Sequence, residues 1–76
     1  MFASHLRKLR KEKKLSQAEL GEILKLSQRT ISSYENRERF PDQTTLNNLA
    51  DYFEVSVDYL LGRTKLRSYT IKRIKK

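Results

Sequence analysis

The chain contains no cysteine, which excludes a disulfide scaffold, thiolate zinc sites and a cysteine nucleophile. Its single histidine, His5, leaves too few imidazoles for most histidine metal sites or for Ser-His-Asp chemistry. Only 37% of the residues are apolar, and no run approaches the ~18 apolar residues of a membrane-spanning helix. The N-terminal MFASHLRKLRK brings charge at once with no apolar stretch behind it, so no secretory signal is expected and the expected compartment is the cytoplasm. A chain of 9.1 kDa makes one domain, burying roughly 60% of its unfolded surface in one small core. Neither catalysis, a metal nor a cofactor is expected.

What the sequence does have is positive charge: 17 basic against 9 acidic residues, a net +8 over 76 positions. Arg7, Lys8, Arg10, Lys11, Lys13 and Lys14 face only Glu12 within residues 1–14, while Arg63, Lys65, Arg67, Lys72, Arg73, Lys75 and Lys76 face no acid within 63–76. The stretch between is acidic, apart from Lys25, Arg29, Arg37 and Arg39. Segregated charge of this kind points to a polyanion on one side of the domain, nucleic acid first and an anionic membrane second. Charge alone does not choose between them.

Apolar spacing organises the chain into helices. Phe2, Leu6 and Leu9 share one face of a first helix ending near Lys13. Ser16 and Glu19 form an S-x-x-E capping box that opens a short second helix, with Leu20, Ile23 and Leu24 inward and Ala18 in support. Ser27 caps a third helix whose Ile31 and Tyr34 turn inward. A loop follows to Pro41, and Asp42 caps the clearest helix, with Leu46, Leu49, Ala50 and Phe53 at i, i+3, i+4 and i+7. Ser56 caps a last helix with Val57, Leu60 and Leu61, and Gly62 stands where a left-handed terminus is wanted. Residues 63–76 fit neither period and read as a mobile basic tail. Tyr34, Tyr52, Phe53 and Tyr59 fall at core spacing, and His5 reads as a surface residue of the first helix.

Two short capped helices joined by a three- or four-residue turn make a helix-turn-helix, with the second as reader. Gln28, Arg29, Ser32 and Ser33 lie at i, i+1, i+4 and i+5, on a strip that one major groove can receive. Gln bonds adenine N6 and N7 together, Arg bonds guanine O6 and N7, and Ser adapts to several partners. Taken without that context, such a face is more often ordinary solvated surface.

At these residues the sequence resembles the Cro and phage-repressor-like helix-turn-helix family, also called XRE-type regulators. The resemblance runs from about Leu6 to Gly62, through LRKLRKEKKLSQAELGEIL, KLSQRTISSYEN and PDQTTLNNLADYFEVSVDYLLG. It implies an all-α, compact five-helix, lambda-repressor-like DNA-binding domain over residues 1–62, with the motif at about 17–36 and a basic tail or linker over 63–76. It further implies that Gln28, Arg29, Ser32 and Ser33 face bases, that Gln17 bonds a phosphate while buttressing the reader, and that Thr30, Asn36, Arg37 and Arg39 meet the backbone. Arg10 and Glu35 match a structural ion pair. Lys25 and Arg37 depart from the pattern, standing where the family often has glycine at a left-handed backbone, which costs roughly 1 kcal/mol or more.

The expected function is sequence-specific binding of double-stranded DNA in transcription regulation, by default as a repressor. Readers of this kind pair on a two-fold axis, so a homodimer on a near-palindromic operator is expected, with Phe40, Val57, Tyr59 and Leu60 as interface candidates. The alternative is an antitoxin that autoregulates its operon and binds a toxin through the tail.

Overall fold

The computed structural model describes residues 1–67, which form α1 (Phe2–Glu12), α2 (Gln17–Leu24), α3 (Gln28–Glu35), α4 (Gln43–Phe53) and α5 (Val57–Leu60). Each helix after α1 starts on a side chain that accepts an amide otherwise left without a partner. Ser16 Oγ takes the Glu19 amide at 3.0 Å while Glu19 Oε1 takes the Ser16 amide at 2.8 Å, completing the capping box. Ser27, Asp42 and Ser56 likewise accept from Thr30, Thr45 and Tyr59. The stops are left-handed residues: Lys25 ends α2 at φ 61°, Glu54 ends α4 at φ 56°, and Gly62 follows α5 at φ 79°.

Every helix sends one large, fully buried side chain to the centre: Leu6, Leu20, Ile31, Leu49 and Leu60. Phe2, Leu9, Tyr34, Leu46, Ala50, Phe53, Val55 and Tyr59 complete the core, so the periodicity read from the sequence marks the packed faces. No helix among the described residues is long and apolar enough to cross a membrane.

Several expectations are corrected. Ile23 is 44% exposed and Ala18 is exposed, because the inner line of α2 runs through Leu20 and Gly21 instead. His5 is half-buried, its ring 4.8 Å from that of Tyr59 and its Nδ1 enclosed. Tyr59 and Leu60 belong to the core, which removes them as interface candidates, whereas Phe40 stays 61% exposed. The chain after α5 also turns back. The Arg67 carbonyl accepts the Ser56 amide at 2.6 Å, and its guanidinium grips both Glu12 oxygens at 2.8 Å above the Tyr59 ring. Residues 63–67 are therefore held against α1 and α5, and the remainder of the expected tail lies outside the described residues.

Candidate nucleic-acid interface

The turn between α2 and α3 is built on close approach. Gly21 O accepts the Leu26 amide at 2.7 Å, and a Cβ at Gly21 would lie 2.5 Å from Leu26 O. Only glycine admits the following chain so near. Lys25 then supplies the left-handed residue, and Ser27 restarts the helix.

Gln28 and Arg29 stand exposed in the first turn of α3, and Ser32 follows one turn later, partly exposed, its Oγ accepting from Asn36 Nδ2 at 3.3 Å. Thr30 is half-exposed, its hydroxyl 2.9 Å from that of Ser27. Asn36, Arg37 and Arg39 are exposed beyond the end of α3, with Arg37 left-handed at φ 65°. The strip does not include Ser33, which is only 9% exposed. The chain leaving α3 folds back over it, the amides of Glu38 and Arg39 both donating to the Ser33 carbonyl. Helical spacing alone has no view of that loop.

Behind the exposed strip, Glu35 collects donors from two other helices. Arg10 Nε donates to Oε2 at 2.7 Å and Nη2 to Oε1 at 2.9 Å, while Nη1 donates to the Leu15 carbonyl at 2.8 Å. Gln17 Nε2 reaches Oε1 at 3.1 Å, and Arg7 Nε lies 3.5 Å from the same oxygen. The Glu35 side chain is 0% exposed. Burial by itself would raise its pKa, but the hydrogen bonds from Arg10, Gln17 and Arg7 and the Arg10 charge outweigh it and hold the carboxyl below its ordinary range. Arg10 is correspondingly raised, chiefly by its bond to Glu35. The carboxylate thus ties α1, the first residue of α2 and the last residue of α3 together.

Sequence reasoning overlooked Arg7 in this cluster and Gly21 in the turn. Arg7 stands three residues before Arg10 and so lies beside it on α1, a signal that was available. Gly21 carried only the weaker hint of a glycine inside a helical pattern. Among the described residues no group of side chains is placed to hold a metal.

The family model described as helix-turn-helix matches residues 6–60, from within α1 to the end of α5, and so includes the turn just built. The chain belongs to the XRE-type helix-turn-helix family. The chain is 41% identical over 61 residues to YqaE of Bacillus subtilis (strain 168), named an uncharacterized HTH-type transcriptional regulator, covering 80% of this chain and 53% of YqaE. It is 38% identical over 64 residues to YobD of the same organism, named in the same way, covering 84% of this chain and 57% of YobD. The chain spans about half the length of the curated relatives it matches. Among solved structures it is similar to the P22 c2 repressor in complex with a synthetic operator. That match has a TM-score of 0.78 and 33% identity, and covers 84% of this chain and 97% of that one. The all-α, five-helix architecture of the chain is the repressor-like fold of the XRE-type family.

Proposed function

We propose that this chain is the DNA-reading domain of a transcriptional regulator that occupies a near-palindromic operator as a homodimer and represses by blocking polymerase. The observation that carries the reading is the placement of Gln28 and Arg29, exposed together in the first turn of a capped helix whose far end is anchored through Glu35. Gln28 offers the paired donor and acceptor that match adenine, Arg29 the paired donors that match guanine, and Ser32 an adaptable hydroxyl one turn on. Gln17, Thr30, Asn36, Arg37 and Arg39 surround them as donors to phosphate. Gln17 Nε2 uses one N–H on Glu35 and has a second for a phosphate oxygen.

The similarity to the P22 c2 repressor in complex with a synthetic operator supports duplex DNA as the partner. Two copies related by a two-fold axis would present their α3 helices to major grooves one helical turn apart. No chemistry is involved, and the setting is the cytoplasm, at the nucleoid. With ~6 phosphate contacts, affinity should fall on the order of a thousandfold between 50 and 200 mM salt.

Selection from a random duplex library at physiological salt tests the reading. The expected result is an enriched near-palindrome, on which Gln28→Ala loses about 1–3 kcal/mol while hardly changing on random duplex. Equal losses on both duplexes would remove Gln28 as a base reader, and an absence of enrichment would defeat the operator reading itself.

A further inference from the structure

Opposite its apolar face α1 carries a second stripe, Ser4, Arg7, Lys8 and Lys11, at i, i+3, i+4 and i+7. The fold turns this stripe toward the chain leaving α3. Ser4, Arg7, Lys8 and Lys11 on one side and Arg37 on the other line a groove of about 250 Å³, with Glu35 at its base. The Glu35 charge is already matched by the short pair of bonds from Arg10. Among the described residues Lys8, Lys11 and Arg37 have no acidic partner, and Arg7, 51% exposed, has only its 3.5 Å approach to Glu35. Like charges at these helical spacings repel one another and weaken the helix that carries them. A cationic groove of this kind gains stability only when an anion enters it.

We propose that the α1 groove is a phosphate track, which holds the DNA backbone flanking the base pairs read by α3. This rests on the operator reading above and extends the DNA-binding surface beyond the helix-turn-helix. The continuity is visible at one atom: Glu35 Oε1 receives both Gln17, at the start of α2, and Arg7, in the groove. A strand that touches Gln17 is therefore already beside Arg7, and Arg37 prolongs the track toward Arg39. A lone phosphate would engage one or two of these cations, whereas a sugar-phosphate strand presents successive anions to all four.

The test measures binding of the wild type and of Lys8→Gln/Lys11→Gln to the selected operator by fluorescence anisotropy over a salt series. Both side chains are exposed, and a melting curve for each protein checks that the fold is intact. The slope of log K against log salt should become shallower by about 2, at ~0.9 per phosphate released. The preference for operator over random duplex should stay the same, and ethylation interference should lose phosphates flanking the half-site. Lys14→Gln/Lys65→Gln, which removes the same charge from exposed positions outside the groove, should leave the slope nearly unchanged. An unchanged slope in the groove variant, or an equal change in the control variant, would overturn the track. A loss of binding to phosphatidylserine vesicles with the operator slope intact would overturn it too, in favour of a membrane surface. If the wild type shows Gln28-dependent operator binding while Lys8→Gln/Lys11→Gln keeps the slope, only the groove fails. If the wild type enriches no site, the operator reading fails first.

Discussion

Replacing Arg10 with Met removes three hydrogen bonds: two to the buried Glu35 carboxylate, at 2.7 and 2.9 Å, and one to the Leu15 carbonyl. Gln17 and the distant, half-exposed Arg7 cannot neutralise what remains. Stripping one partner from a buried pair costs about 3–5 kcal/mol, because the other charge stays buried. A domain of this size holds only roughly 4–11 kcal/mol in total, at ~0.05–0.15 kcal/mol per residue. The expected fall in melting temperature is at least ~12 °C, taking about 4 °C per kcal/mol as the lower bound. Removing both charges with Arg10→Met/Glu35→Leu should recover most of the loss, since an apolar replacement of a buried pair is often neutral or stabilising. Urea and thermal unfolding followed by circular dichroism measure both variants. A single variant costing under about 1 kcal/mol, or a double variant no better than the single, would refute the account. Acid gives an independent readout. The folded-state pKa of Glu35 is held below its ordinary value of 4.5, so its contribution is present above that pH and lost as pH falls through the lowered value. Glu35→Gln should flatten that part of the acid unfolding profile. A remainder should persist from Asp42, also lowered, whose carboxylate accepts the Thr45 amide at the start of α4.

The left-handed positions predict a contrast between stability and binding. Lys25→Gly relieves a residue at φ 61° and should raise stability by about 1 kcal/mol, read as a higher melting temperature, with operator affinity little changed. Arg37→Gly relieves φ 65° by a similar amount yet removes a cation shared by the loop and the α1 groove, so the melting temperature should rise while affinity falls. Loss of stability in both would show that neither backbone is strained. Gly21→Ala should destabilise although alanine is the better helix former, because its Cβ would meet the Leu26 carbonyl at 2.5 Å. An unchanged melting temperature would show that α2 and α3 can separate slightly at no cost.

The fold was legible because its signals are local. Ser16, Ser27, Asp42 and Ser56 are caps whose partners lie three residues away, and the buried lines of α1 and α4 repeat within the helices themselves. What escaped the sequence depends on chain that returns from elsewhere. Ser33 reads as exposed until residues 38 and 39 fold over it, and His5 reads as surface until Tyr59 arrives beneath its ring. Ile23 satisfies the apolar period of α2, yet the buried line of that helix runs through Leu20 and Gly21 with Leu24 packed partly against the core, and Ile23 is left 44% exposed. Arg67, one cation in a run of cations, had nothing in its neighbourhood to announce Glu12 fifty-five positions earlier.

Glu35 shows why α3 and the scaffold that carries it are not separable. A carboxylate in the last turn of α3 sits at the negative end of the helix dipole and is fully buried, two terms that both oppose it. Arg10 offsets them, but a pair that merely breaks even would be no better than apolar packing at the same place. What the carboxylate adds is geometry, since Oε1 fixes Gln17 and Oε2 fixes Arg10, setting α1 and the start of α2 at a defined distance from the end of α3. Gln17 is then held in position relative to Gln28 before any ligand arrives, and side chains ordered in advance lose less entropy on binding. The Arg10→Met/Glu35→Leu variant separates the two roles: its fold should survive, while its operator affinity should fall because Gln17 has lost the oxygen that holds it.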